Sequence, residues 1–395
     1  MQYLFVGAGQ AGTQIVDQIF AHDNIDLRAE PLAFNSTIQD LERLNNIPQD
    51  RWYGVSESDG LVSGTVRGFE ERVTGGFGQT PTKADRVMRR NEGEVHRVLD
   101  EVYEELEADP STLQYAFVFL GLGGGTGCGI APHLAREIRS YASSEMDIVS
   151  VGVLPNTKLV NQGAQIDDDD EDNPVKNQIQ QCENTVFGLD NLEQEVESIM
   201  LVDNQRLALD VAESNEYSDY NRYVADAFLD IVLGAERERT DDALDVQMQD
   251  VDLQDLIRFI DGDGFRAGYA TLGRGVRQTE SLLGYLLPGP FGRQPIRETG
   301  LIADSIDKQT IDEFSPSDAS SAVAVAQAPG WCWDNKEVSV GSVESELGYY
   351  CKNVNAGWAV TKRNLASVTT AFGFDREDID RIAEIERIAE REGTA

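Results

Sequence analysis

The stretch LGLGGGTGCGIAP, residues 120–132, decides how this chain folds. It continues YAFVFL, 115–120, an apolar run of the kind that forms a strand buried on both faces. Six glycines then fall within nine residues, 121–129, with Thr126 and Cys128 among them, and a helical pattern follows. A tight turn needs one or two glycines, whereas six let backbone amides crowd a ligand where a Cβ would clash. The N-terminus of the following helix adds partial positive charge, so the stretch reads as a cradle for phosphate. Pro132 is expected in the first turn of that helix, where a missing N–H does no harm.

A second glycine cluster opens the chain. LFVGAGQAGTQI, 4–15, sets Gly7, Gly9 and Gly12 at the G-x-G-x-x-G spacing of dinucleotide-binding folds. Such folds also want an acid at the end of the second strand, about 20 residues on, to hold a ribose. Here that strand, PLAFN, ends in Asn35 and Ser36, and Glu30 comes before it. An NAD-dependent dehydrogenase is therefore the weakest reading of these glycines.

Strand and helix patterns alternate through the first half. Strands are expected at Leu4–Gly7, Pro31–Asn35, Tyr115–Leu120, Asp147–Leu154 and Ile199–Val202. Helices are expected at Gln10–Phe20, Asp85–Glu107, Ile130–Tyr141, Lys176–Val186 and Ser218–Ala235. That alternation argues α/β architecture with a Rossmann-like parallel sheet. After residue 260 short β-like runs (Ala267–Leu272, Ala322–Ala326, Ala356–Thr361) imply a smaller α+β domain that closes on a charged helix, Arg376–Glu392.

The 395 residues suffice for two domains with their own cores. Lys and Arg total 33 against 70 Asp and Glu, a net charge of −37, and only seven of the basic residues are Lys. Self-repulsion of that size is screened at molar salt, where the Debye length falls to about 3 Å. The composition resembles that of salt-adapted archaeal proteins, and it argues against nucleic acid and anionic membranes as partners. No apolar run reaches 18 residues, no signal peptide is visible, and the four cysteines form no C-x-x-C pair. A cytoplasmic protein without direct membrane insertion is expected.

GLGGGTGCG closely resembles the G-G-G-T-G-[ST]-G signature of the tubulin and FtsZ superfamily of GTPases. The resemblance runs through residues 1–260 and is faint beyond. It implies GTP-binding in 1–216, a long central helix over 217–240, and a carboxy-terminal domain, 241–395, carrying an acidic catalytic loop near 248–256. It further implies GTP or GDP with Mg²⁺ as cofactors. The first loop, GQAGTQI, is similar to that of tubulin and assigns Gly9, Gln10, Ala11 and Gly12 to the phosphates, Gln10 also to the metal, and Gln14 to the base. FNSTIQDL, 34–41, resembles the family's second loop and puts Asn35 near the metal. TGGFG, 74–78, stands where the γ-phosphate loop belongs and contributes Gly75, Gly76 and Gly78. The signature itself contributes Gly123, Gly124, Gly125, Thr126, Gly127 and Cys128.

VDNQRL, 202–207, resembles the segment whose Asn reads guanine, here Asn204, and EYSDYNRY, 216–223, supplies Tyr217 to stack and Asn221 to bond. Asn amides can answer both the donors and the acceptor of guanine. DVDLQDL, 250–256, matches the two acids of the family's catalytic loop in Asp252 and Asp255, with Asp250 in place of the usual Asn. In the family this loop reaches the next subunit, so the resemblance implies hydrolysis completed between subunits of a longitudinal homopolymer. The acidity, the tubulin-like first loop and the length together point to the archaeal CetZ group and to a role in cell shape. Other cytoskeletal paralogues are further candidate partners, and a non-polymerising GTP-binding protein is the alternative.

Several features are set aside. DDDDED, 167–172, reads as a solvated acidic loop. His22, His96 and His133 are unclustered. Cys128 is either a thiol beside phosphate-binding amides or, preferably, a small residue filling the loop. WCW, 331–333, is core or an interface anchor.

Overall fold

A computed structural model describes residues 3–22, 25–27, 29–142, 146–162, 173–206, 217–232, 268–280, 292–311, 315–361 and 363–390. Contacts divide the chain into a first unit, Met1–Ala225 with Gly262–Ala267 and Ile379–Ala395, and a second, Asp226–Asp261 with Gly268–Asp378.

The first unit holds β1 (Tyr3–Ala8), β2 (Ala29–Asn35), β3 (Trp52–Ser56), β4 (Gly60–Ser63), β5 (Tyr115–Gly121), β6 (Asp147–Leu154) and β7 (Ser198–Asp203). They pair in the order β7-β6-β5-β1-β2-β3-β4, parallel except for the β3–β4 hairpin at the edge. Strands β1 and β7 are buried at every residue and β5 and β6 nearly so, as expected for parallel strands covered by helices on both faces. The helices are α1 (Gly9–Ile19), α2 (Ile38–Leu41), α3 (Phe69–Arg72), α4 (Pro81–Arg90), α5 (Glu94–Glu105), α6 (Gly125–Ala142), α7 (Lys158–Asn161) and α8 (Pro174–Leu192). Helix α9 (Tyr217–Val232) contributes residues to both units.

Two sequence expectations are corrected here. The single helix expected over Asp85–Glu107 is two, α4 and α5, because Asn91–Gly93 breaks it. The Asn91 side chain donates to the Val87 carbonyl at 2.8 Å, and Gly93 takes the left-handed φ of +87° that a side chain disfavours. The first amides of α5 are then capped from α6, where buried Glu137 accepts the N–H groups of Gly93 (3.0 Å) and Val95 (3.2 Å). Helix α6 begins inside the glycine run at Gly125, so Pro132 is its eighth residue rather than part of its first turn. There the proline ring removes one intrahelical hydrogen bond. Strands β3 and β4 have no counterpart in the sequence reading, being short and rich in Gly and Ser.

The second unit pairs β8 (Gly268–Gln278), β9 (Ser321–Ala328), β10 (Asn353–Val360) and β11 (Leu365–Phe374) in the order β10-β9-β11-β8. Pairing is antiparallel except between β9 and β10. Its helices are α10 (Glu298–Asp307), α11 (Gly330–Asp334) and α12 (Val340–Leu347). Helix α10 lies directly on β8, where a Cβ at Gly273 would sit 1.9 Å from the Ser305 carbonyl oxygen. Of the WCW segment, Cys332 is buried, the Trp333 ring centroid lies 4.9 Å from that of Trp358, and the Arg293 guanidinium covers Trp331. These contacts lie within the second unit. The final helix, α13 (Asp380–Glu390), packs on α8 and buries Ile382, Ile385 and Ile388; it joins the first unit, although the sequence reading places it in 241–395. Among the described residues no helix is long and apolar enough to cross a membrane.

Candidate nucleotide site

The chain leaves β1 toward β2 on one side and β5 toward β6 on the other. A crevice opens at such a switch point, beyond the carboxyl ends of the strands. A cavity of about 390 Å³ lies there. Its walls include Gly9, Gln10 and Ala11 at the start of α1, and Gly123, Gly124, Gly125, Thr126 and Gly127 where β5 gives way to α6.

Glycine is needed where the two loops meet. Gly9 has a φ of +70°, and a Cβ on it would lie 2.9 Å from the Gly127 amide nitrogen. A Cβ on Gly127 would in turn lie 2.9 Å from the Ala8 carbonyl oxygen. Backbone therefore packs against backbone, and both helices present their first turns to the cavity. Neither first turn contains an acid, in a chain with 70 of them, and the residue capping α1 is Ala8, whose side chain accepts nothing. The partial positive charge of two helix N-termini is thus left for an anion.

The surrounding loops are tied to this floor. The Ser36 and Thr126 hydroxyls are hydrogen-bonded at 2.7 Å, joining the segment after β2 to the glycine run. Asn35 uses its side-chain oxygen to accept the Ser36 amide at 2.8 Å, while its amide group faces Asp40 at 3.4 Å. Gly76 and Gly78 line the cavity with Phe77 and Gln79, whereas Gly75 lines a neighbouring hollow with Ser36 and Lys83. Buried Asn184 of α8 donates to the carbonyls of Gln79 (2.8 Å) and Gly123 (3.1 Å), locking the two loops together.

Gly12 does not line the cavity. Its role is packing, since a Cβ there would meet the Phe119 carbonyl oxygen at 2.0 Å. The Cys128 side chain also turns away, its thiol donating to the Leu122 carbonyl at 2.8 Å inside the core. Burial pushes that thiol well above its usual pKa, which together with its place in the core argues against a reactive thiolate and favours the filler reading.

At the far end the walls are Val153, Pro155, Gln181 and Asn204. Gln14 and Asn221 are half-buried and lie outside this lining. The Tyr217 side chain, Asp252, Asp255 and the 167–172 run fall outside the described residues. Asp40 was missed by sequence reasoning although it lies within the quoted FNSTIQDL segment; it is the one carboxylate lining the cavity among the described residues. Burial raises its pKa, opposed by Arg43 and by the Asn35 hydrogen bond. Asn184 and Gln181 had no signal in the sequence, being two polar residues of a mixed helix.

Residues 2–165 match the Tubulin/FtsZ family, GTPase domain. The tubulin-like protein CetZ of Thermococcus kodakarensis is 28% identical over 254 residues, 62% of this chain and 55% of that protein, so the match spans about half of the relative's length. Among solved structures, the GDP-bound monomer of CetZ1 from Haloferax volcanii superposes with a TM-score of 0.69 at 18% identity, covering 100% of both chains. The GTPγS-bound protofilament of CetZ2 from the same organism gives 0.67 at 18% identity, covering 99% of this chain and 100% of that one. The match to the GTPase domain of the Tubulin/FtsZ family covers residues 2–165, and the chain has the fold of the CetZ proteins.

Proposed function

We propose that this chain binds guanine nucleotides in the switch-point cavity, hydrolyses GTP and assembles head to tail into protofilaments that act on cell shape. The observation that carries the reading is the pair of acid-free helix N-termini converging on one glycine-built cavity. A nucleoside di- or triphosphate places its phosphates there, with the base toward Asn204; Gln14, Tyr217 and Asn221 are assigned to the base by family resemblance. CetZ1 has been solved with GDP and CetZ2 as a GTPγS-bound protofilament, which supports both the ligand and the assembly.

The cavity suits Mg²⁺ bound along with the phosphates. Asp40, a partly desolvated carboxylate, and Thr37, with its hydroxyl, share the cavity lining and are oxygen donors of the kind hydrated Mg²⁺ prefers, whereas the Asn35 group that faces Asp40 is its NH2. When bound, the ion would supply charge neutralisation to the β- and γ-phosphates. Gln10 and Asn35 remain the residues proposed to face it.

No described residue in the cavity is placed as an obvious base for an attacking water other than Asp40. Asp252 and Asp255 are proposed to orient that water from the next subunit. In molar KCl, GTPase activity per molecule should rise with protein concentration, and GTP should drive the protein into a sedimenting fraction. Asp255→Ala should bind GTP normally, lose hydrolysis and give longer-lived filaments. Constant activity per molecule from nanomolar to tens of micromolar protein contradicts the shared site. Nucleotide binding without sedimentation favours the non-polymerising alternative.

A further inference from the structure

The base-side wall of the cavity hangs on the segments that leave β6 and β7, and one buried guanidinium holds both. Arg381 comes from α13, near the other end of the sequence, and its side chain is 2% exposed. Its Nε donates to Asp203 at 2.9 Å, one terminal nitrogen to the Pro155 carbonyl at 2.6 Å, and the other to the Thr157 hydroxyl at 2.7 Å and to Glu384 at 2.8 Å. Asp203 is itself fully buried, so the pair is desolvated on both sides. A buried ion pair adds little net stability over well-packed apolar residues of the same volume. What this one does hold is geometry.

Pro155 and Asn204 both line the cavity, and each is anchored by this cluster. Asn204 is bracketed: Asp203 before it is gripped by Arg381, and Gln205 after it donates its amide to Asp203 at 2.8 Å. The Gln205 side chain in turn accepts the Thr157 amide at 3.3 Å and hydroxyl at 3.1 Å. The planar fork of arginine reaches Asp203, Thr157, Glu384 and the Pro155 carbonyl at once, which a lysine ammonium cannot do.

We infer that Arg381 is a positioning residue for base recognition: α13 fixes, through the Arg381–Asp203–Thr157 cluster, the direction in which Asn204 and the Pro155 segment meet the base. The inference rests on the guanine reading given above. The phosphate floor rests on the first turns of α1 and α6, and it meets the clamped wall at Gly123, where a Cβ would lie 3.2 Å from Pro155; the clamp therefore acts first on the base and much less on the phosphates.

The test measures affinity for GDP, ADP and inorganic tripolyphosphate on the full chain in molar KCl. Two variants are compared with the unaltered protein. Arg381→Lys keeps the charge against Asp203, and the double variant Arg381→Gln with Asp203→Asn removes both charges without emptying the site. In both, GDP affinity should fall about tenfold, the size of one lost hydrogen bond to the base. Tripolyphosphate affinity should stay within about twofold, and ADP should lose less than GDP. GDP affinity unchanged in both variants overturns the inference, as does an equal loss for all three ligands, which is what a merely loosened fold gives. An unaltered protein that binds GDP and ADP alike removes the guanine reading itself, and that result is seen before any variant is made.

Discussion

The two ends of the nucleotide cavity are built on opposite principles. The end proposed to hold phosphate is mainly backbone: the first turns of α1 and α6, brought within contact by Gly9 and Gly127, with no acid in either turn. The end proposed to meet the base is side chain: Asn204, Gln181 and Pro155, with the Asn204 and Pro155 segments held by Arg381 and Asp203. Backbone amides attract any polyphosphate and say nothing about what it is attached to. Side-chain amides on a fixed frame can discriminate, because a wrong base leaves them unpaired. Affinity is thus expected from one end and selectivity from the other.

That division can be broken most severely at the glycines. Gly12→Ala puts a Cβ 2.0 Å from the Phe119 carbonyl oxygen, and both neighbours are backbone that cannot step aside. Overpacking of this kind should destabilise the first unit by about 3 kcal/mol or more, read as a lowered denaturation midpoint in molar KCl. A variant as stable as the original means that the crossing of α1 over β5 is looser than described. Gly76→Ala is the control: its nearest contact is a hydroxyl at 3.3 Å, and it should be nearly silent in stability.

The intermediate effect belongs to the base end. Asn204→Ala should cost about 1–3 kcal/mol in GDP binding through unpaired polar groups on the base, with no change in tripolyphosphate binding. Equal losses for both ligands would show that the two ends do not act separately.

The smallest effect sharpens the comparison by pH. Hydrogen bonds from Asn161 and Thr157, with the Arg381 charge, hold the Glu384 carboxyl below its usual pKa despite its burial. A depressed carboxylate contributes stability above its unfolded pKa, about 4.3, and loses it as pH falls through the lower folded value. The stability difference between the original and Glu384→Gln should therefore be largest near pH 7 and shrink below about pH 4. A difference that does not vary with pH would mean that the carboxylate charge plays no part in the clamp.

The contrast also explains what the sequence disclosed. The glycine-built end was legible because glycine has few other reasons to cluster: Gly9, Gly123 to Gly125 and Gly127, which the sequence assigns to phosphate, line one cavity, and β5 and β6 lie where the apolar runs put them. Gly12 belongs to the same motif yet serves helix–strand packing, a distinction that spacing alone does not make. Cys128 fills the core for the reason a small residue would. At the proposed base end the sequence reading named Asn204, through the resemblance of VDNQRL to the family segment whose Asn reads guanine, and Asn204 lines the cavity. Asp40, Gln181, Asn184 and Arg381 were missed because single polar residues on helices and turns look alike until the chain is folded, and Arg381 acts from 178 residues beyond Asp203. The break at Gly93 was hidden by charged residues that continue the helical pattern on both sides.

The central claim, a polyphosphate floor joined to a guanine-selective wall, is tested most directly by calorimetric titration of the full chain in molar KCl with GDP, ADP and NAD. The account predicts GDP bound at least tenfold more tightly than ADP, one nucleotide per chain, and no saturable heat from NAD. Equal affinity for GDP and ADP, or tighter binding of NAD than of either, contradicts it.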